Sequence, residues 1–247
     1  LGRVGGRRFE EVFNFKKASL TQKNLEKNMK LDTYLSLCSQ YYELDKPDAP
    51  HDALEFYLKY VKNTDGPILE PMCGTGRFLL PLVEMGLAVE GYDASPQMLS
   101  ILKDKANQKN LKPTIWEQFV EAKTKEQKYG LVFIPSSSLG LLTEDERLNV
   151  TLKNFFNTLA PGGKLIFEAE TLTSIPSHFN SWQGSLRHKD KTSFIMLSSF
   201  HLPLEKNTAT TVCRYELVED GKITKSETEL IKVRLHDPEI LAKKLKT

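Results

Sequence analysis

The chain has 247 residues, of which 40% are apolar and 27% charged, the make-up of a globular protein with room for one α/β domain and an insertion. Lys and Arg number 34 against 32 Asp and Glu, a formal charge of +2, which gives no pull towards nucleic acid or an anionic membrane. No apolar run approaches the roughly 20 residues of a membrane-spanning helix. Cys38, Cys73 and Cys213 lie far apart without a CxxC pair or zinc spacing, the usage of reduced thiols in a cytoplasmic protein.

Residues 1–28 open with Gly- and Arg-containing text and lack the apolar stretch of a secretion signal. Met29 reads as a natural start, so 1–28 is expected to be an extension with little order. Asp32 to Tyr42 and Asp52 to Lys62 read as amphipathic helices, a helical cover over 29–64. Ile68-Leu69 then leads a short buried strand into a glycine-bearing loop, and a helix follows from Phe78 to Glu84. Ala88 to Tyr92 is a second strand, ended by Asp93. Ser95-Pro96 opens the next helix, with Ser as cap and Pro at the first helical position. Thr114 to Phe119 is a third strand. Leu131 to Ile134 forms a continuous apolar run, as in a strand buried on both faces. Thr143-Glu-Asp-Glu146 has the pattern of a capping box ahead of a helix ending near Leu159, and Lys164 to Ala169 is a fifth strand. This alternation argues for an α/β fold with a mostly parallel sheet and helices on both faces over 65–175. Beyond it, Ser193 to His201, Thr208 to Val218 and Lys222 to Leu235 read as an antiparallel meander with an Asp220-Gly221 hairpin turn. A last helix follows Asp237-Pro238, so 176–247 forms a separate unit.

The chemistry concentrates in two places. Ile68-Leu-Glu-Pro-Met-Cys-Gly-Thr-Gly-Arg-Phe78 ends a strand in an acid and continues through Gly74 and Gly76, where a ligand can approach the backbone. Such a loop is also compatible with packing alone. Asp93, at the end of the following strand, stands where α/β nucleotide-binding folds place a carboxylate against ribose hydroxyls, and it can equally serve the helix start beside it.

Glu70 to Arg77 resembles the first motif of class I S-adenosylmethionine-dependent methyltransferases. Tyr92-Asp-Ala-Ser-Pro-Gln-Met-Leu99 resembles their second, and Glu117-Gln-Phe119, Phe133-Ile-Pro-Ser-Ser-Ser138 and Leu159-Ala-Pro-Gly-Gly-Lys-Leu165 resemble three more, in order, over roughly 41–170. The resemblance implies a Rossmann-like sheet of order 3-2-1-4-5 with an antiparallel β insertion after strand five. It implies S-adenosylmethionine as cofactor and S-adenosylhomocysteine as product, with no metal. Glu70 would hold the methionine amino group, and the backbone of Met72, Cys73, Gly74 and Gly76 would line the methionine part. Asp93 would bind the ribose, Ala94 and Met98 would pack on the adenosine, Gln118 and Phe119 would contact the adenine, and Pro135 and Ser136 would sit beneath the sulfonium. The acceptor would be a small molecule methylated on nitrogen or oxygen, met by Tyr41 and Tyr42 of the N-terminal cover and by Trp182 and Arg187 of the insert. No catalytic residue is assigned, although His178 or His188 is placed to act as a base. The insert is also a candidate homodimer surface, and neither nucleic acid nor membrane is expected as a partner.

The chain departs from the family pattern at Met72, where glycine is usual, and at Gln118, where an acid is usual. It also stops at Thr247 without the two closing strands many members have. These departures support an alternative reading, a catalytically degenerate methyltransferase fold that binds a partner. A nicotinamide oxidoreductase fits worse, because Met72 and Leu79 break its glycine fingerprint. A nucleic-acid base methyltransferase lacks its Asn/Asp-Pro-Pro-Tyr segment, with Ile134-Pro-Ser-Ser in its place.

Overall fold

The structure, a computed structural model, describes residues 30–123, 126–174 and 180–246. Strand β1 (Ile68–Pro71) is buried along its whole length and lies at the centre of a parallel sheet. It pairs on one side with β2 (Val89–Asp93), which carries β3 (Thr114–Glu117), and on the other with β4 (Tyr129–Ile134), which carries β5 (Leu159–Phe167). The order β3-β2-β1-β4-β5 is the expected 3-2-1-4-5.

Side chains alternate across this sheet and build two cores. Ile68, Leu131 and Phe133 face one side, against α2 (His51–Lys62), α3 (Leu79–Glu84) and α4 (Pro96–Gln108) through Tyr57, Leu79 and Leu102. Leu69, Val132 and Ile134 face the other way, onto Leu148, Leu152 and Phe155 of α5 (Asp145–Thr158) and Leu241 of α6 (Pro238–Lys244). The sheet ends are brought close by small residues. A Cβ on Gly91 would lie 2.4 Å from Leu79 Cδ1, so α3 packs directly on the β2 backbone.

The second sheet runs β6-β7-β8-β9: β6 (Trp182–His188), β7 (Ser193–His201), β8 (Thr208–Glu219) and β9 (Lys222–Arg234), all antiparallel. Asp220 and Gly221 have φ of 48° and 76°, the paired left-handed geometry of a two-residue hairpin turn, as the Asp-Gly signal implies. One face of this sheet carries Ile195, Cys213 and Tyr215 and packs on Leu37, Cys38 and Tyr41 of α1 (Ser36–Asp45). Helix α1 also touches α4, so it is wedged between the two sheets' layers.

Four local expectations change. Helix α1 starts at Ser36 rather than Asp32, because Tyr34 has a φ of 55° that no helix admits. The capping box does not form: α5 begins at Asp145 with Glu144 as a cap that makes no side-chain bond, which leaves Thr143 outside the helix. The fifth strand starts at Leu159 and ends at Phe167, and takes Pro161-Gly162-Gly163 into a register shift opposite Gly130. Strand β6 was not expected as a strand. Its Gly184, Ser185 and charged neighbours carry no apolar alternation, and pairing with the strongly apolar β7 holds it as an edge strand. Residues 1–28, and His178 with them, lie outside the described residues.

Candidate active site

The carboxyl ends of β1, β2 and β3 open onto a cavity of about 330 Å³. This is the crevice where ligands bind in open parallel sheets. Of the residues expected at a cofactor, Met72, Gly74, Asp93, Ala94, Met98, Gln118 and Phe119 line it, and Tyr42 of the cover does too.

Asp93 is tied into the loops around it. Oδ2 accepts from the Gly74 N–H at 2.9 Å, and Oδ1 accepts from the Ser95 N–H at 2.8 Å. Burial pushes this carboxyl up, while the Ser95, Gly74 and Ala94 amides pull it back. Each oxygen keeps a further lone pair for a ligand hydroxyl. Ser95 then caps α4 through Met98 N–H to Oγ at 3.1 Å, so one short stretch shapes both the cavity floor and the helix start.

Glu70 lies behind the glycine loop, 2% exposed, and does not line the cavity. Its Oε2 is buried with no hydrogen-bond partner among the described residues. Burial and the Asp93 charge hold its carboxyl well above the ordinary range, with Arg77 working the other way. Arg77 itself donates to Tyr42 Oη at 2.9 Å and to the Asp48 carbonyl at 3.0 Å, which closes the α1–α2 connection over this end. Tyr57 donates to Glu168 Oε1 at 2.8 Å at the end of β5. Buried Glu70, incompletely satisfied, with half-buried Asp93 and Glu168 nearby, makes an environment that favours a cationic group such as an ammonium or a sulfonium.

Met72 has a φ of 57°, the conformation that glycine would take at this position without strain, and it carries its side chain into the cavity wall. Gly76 (φ 78°) does not reach the cavity: a Cβ there would meet Leu102 Cγ at 2.8 Å. Cys73 is buried under Gly91, and burial with the Asp93 and Glu70 charges pushes its thiol well up, which makes it an inert filler rather than a nucleophile. Gln118 is already engaged. Its Oε1 accepts from Trp116 Nε1 at 2.9 Å and its backbone N–H donates to the Asp93 carbonyl at 3.0 Å.

Pro135 and Ser136 lie at the end of β4 outside the cavity wall, which is formed there by Ser138. Ser136 and Ser137 have φ of 57° and 55°, two consecutive left-handed residues. Of the proposed acceptor residues, Tyr41 is buried with its hydroxyl on Ser185 Oγ at 2.7 Å. Arg187 pairs with Asp45 over the Tyr41 ring, and Trp182 is 60% exposed against Phe200. None of these three lines the cavity. His188 packs on Phe194 at the exposed edge.

Several cavity residues are not legible from the motifs. Tyr34 and the stretch before it form one wall, Glu121 with its Arg147 partner forms another, and Leu230 and Lys232 reach in from β9. Gly140 joins these parts: a Cβ there would lie 2.9 Å from Val233 Cγ1, so the β4 loop rests directly on the second sheet.

This fold is the Rossmann-like fold of class I S-adenosylmethionine-dependent methyltransferases. Residues 68–163 match the family described as "Methyltransferase domain". YqeM of Bacillus subtilis (strain 168), named provisionally as a methyltransferase, is 29% identical over 146 residues, 59% of this chain and 59% of that protein. The chain thus spans about three fifths of the length of that curated relative. Among solved structures, an S-adenosylmethionine-dependent methyltransferase from Clostridium acetobutylicum ATCC 824 superposes with a TM-score of 0.67 at 22% identity, covering 84% of this chain and 83% of that one. The sugar N-methyltransferase KedS8 from Streptoalloteichus sp ATCC 53650 superposes with a TM-score of 0.71 at 13% identity, covering 88% and 86%. At these identities the structural likeness is one of fold. No helix among the described residues is long and apolar enough to cross a membrane.

Proposed function

We propose that this chain binds S-adenosylmethionine in the cavity at the ends of β1–β3 and transfers its methyl group to nitrogen or oxygen of a small-molecule acceptor. The observation that carries this is the pair of carboxyls at the ends of β1 and β2, one buried and one half-buried at the cavity. Asp93 is presented to the cavity by two backbone amides, and Glu70 keeps an unsatisfied oxygen behind the glycine loop. That donor set fits an adenosyl ligand with a cationic tail: Asp93 takes the ribose hydroxyls, Glu70 balances the ammonium, and Met72, Ala94 and Met98 pack on the apolar surfaces. Gln118 and Phe119 flank the adenine, with Gln118 offering whatever its bond to Trp116 leaves free.

When bound, the cofactor supplies a methyl carbon already activated by its sulfonium. The protein's share is alignment and exclusion of water, so no dedicated base is required for a neutral nucleophile. The cover over 29–64, with Tyr42 on Arg77, and the insert over 176–247, with Leu230 and Lys232, enclose the core of 65–175 and would meet the acceptor. KedS8 is a sugar N-methyltransferase, and a sugar amine belongs in the first acceptor screen. The exposed Trp182–Phe200 pair of the second sheet supports a homodimer through that face, to be read by sedimentation at two concentrations.

The deciding experiment is calorimetric titration with S-adenosylmethionine, S-adenosylhomocysteine and NADH, repeated on Asp93→Ala. Both adenosyl ligands are expected to bind, and Asp93→Ala to weaken them about 100-fold, the loss of a charged acceptor on two hydroxyls. A folded protein that binds neither adenosyl ligand would leave the fold as a partner-binding scaffold.

A further inference from the structure

The segment before α1 is held in a conformation that its own residues do not favour. Tyr34 lies in the left-handed region at φ 55°. Three side chains keep it there, Ser39 from the following helix and Glu229 and Ser95 from distant parts of the chain. Its N–H donates to Glu229 Oε2 at 2.8 Å, and its carbonyl accepts from Ser39 Oγ and Ser95 Oγ, each at 2.8 Å. Glu229 Oε1 also accepts from the Leu35 N–H at 3.0 Å, and Glu227 Oε2 from the Leu37 N–H at 2.6 Å. Glu229 is 2% exposed, on β9 of the second sheet.

Capping alone does not account for this. The two glutamates satisfy the free amides at the start of α1, a service that needs no left-handed residue. The left-handed turn at Tyr34 has a different consequence, which is that it sets this residue in the cavity wall, with its ring partly packed on the core between α1 and the second sheet. It does so at the Asp93 end. The Ser95 that holds the Tyr34 carbonyl donates its own N–H to Asp93 Oδ1 at 2.8 Å. Burial above all, with the Cys38, Tyr42, Asp93 and Glu229 charges adding to it, pushes the Tyr34 phenol up, so it remains a hydrogen-bond donor at neutral pH. The ring edge is braced on Tyr42 at 6.2 Å between centroids. A strained residue fixed from both sides and turned into a binding cavity is the pattern of a pre-organised contact.

We infer that Tyr34 is a binding residue for the ribosyl part of the adenosyl ligand, and that Glu229, on the other sheet, is the positioning residue that holds it in place. This rests on the cofactor reading above. The strand that walls the cavity through Leu230 and Lys232 thereby also sets its opposite wall.

S-adenosylhomocysteine is titrated into the wild type, Tyr34→Ala, Glu229→Ala and the double variant, with folding checked by circular dichroism. Each single change is expected to weaken binding about tenfold, and the double variant no more than either single, because both remove the same contact. Glu229→Gln, which keeps one good acceptor, recovers most of the affinity, as a merely structural loss would not. Multiplication of the two effects to about 100-fold, or wild-type affinity in Tyr34→Ala, overturns the inference. If Glu229→Ala does not fold, Tyr34→Ala alone decides, and wild-type affinity there overturns the inference. A wild type that binds no adenosyl ligand is a separate result, which removes the cofactor reading and this role with it.

Discussion

Glu70 carries the clearest pH signature of any side chain at the site. Its carboxyl sits well above the ordinary 4.5 in the folded protein, because burial and Asp93 both oppose its charge. The folded state therefore keeps a proton that the unfolded chain releases, and stability falls as pH rises from the ordinary value through the raised one. Glu70→Gln removes this penalty. It is expected to melt above the wild type at pH 8, with the gap closing towards pH 4, while binding S-adenosylhomocysteine more weakly. Equal melting differences at both pH values would show that the charge is not the cause. Gly91 makes a second residue-scale case. A methyl group 2.4 Å from Leu79 Cδ1 and 3.1 Å from Cys73 Sγ forces α3 off the sheet, and Gly91→Ala is expected to cost about 1–3 kcal/mol in denaturant unfolding. An unchanged midpoint would mean that Leu79 turns aside freely. At this scale the motif residues were readable where they are neighbours in the chain: Gly74 and Asp93 belong to short, regular strand-to-helix units. Tyr34, Glu121 and Lys232 were not, because folding brings them to the cavity from far apart and none carries a local pattern.

Among the elements, those with a strong local cause were legible. Strand β4 carries a continuous apolar run, β1 and β2 are short segments bounded by turns and ended by Glu70-Pro71 and Asp93, and Ser95-Pro96 and Asp237-Pro238 announce α4 and α6. Asp237 Oδ1 accepts from the Glu239 N–H at 2.8 Å and the Ile240 N–H at 3.2 Å. Removing that cap in Asp237→Ala is expected to lower stability by about 1 kcal/mol, seen as an earlier denaturant midpoint at unchanged slope. A changed slope instead would mean that α6 detaches from Leu148 and its neighbours altogether. The elements misread are those decided by partners. Strand β6 exists because β7 pairs with it, and α1 starts late because Glu229 and Glu227 claim the amides before it. The Thr143 capping box fails with Arg234 reaching from β9 to the Thr143 carbonyl and the Asp145 carboxylate.

For the molecule as a whole, the cavity lies between the parallel sheet and elements contributed by the second one, so a ligand there links the two. At a free concentration 100 times its dissociation constant, a ligand confined to the folded state adds about 2.7 kcal/mol. For a protein of this size that is a rise in melting temperature of about 5–10 °C, measurable by thermal shift with S-adenosylhomocysteine. A titration that binds calorimetrically yet leaves the melting temperature unmoved would place the ligand on a region that unfolds separately. The sheet order was legible as what the motifs imply, while the closure of the cavity by β9 was not, since no periodicity in β9 names its partner.

The contact between Tyr34 and Glu229 spans 195 positions of sequence. During synthesis the chain emerges from its N-terminal side, at a pace of roughly 5–20 residues per second, and each part folds only once its partners have appeared. The five parallel strands can all be exposed before β9 exists, and the wall carried by Tyr34 then has its carbonyl held by Ser39 and Ser95 but lacks the Glu229 carboxylate on its N–H. A nascent chain would therefore hold an unfinished pocket for about ten seconds or more at the slower of those rates. The closed form of the cavity would thus arrive only with the β8–β9 hairpin, well after the parallel sheet that forms its floor.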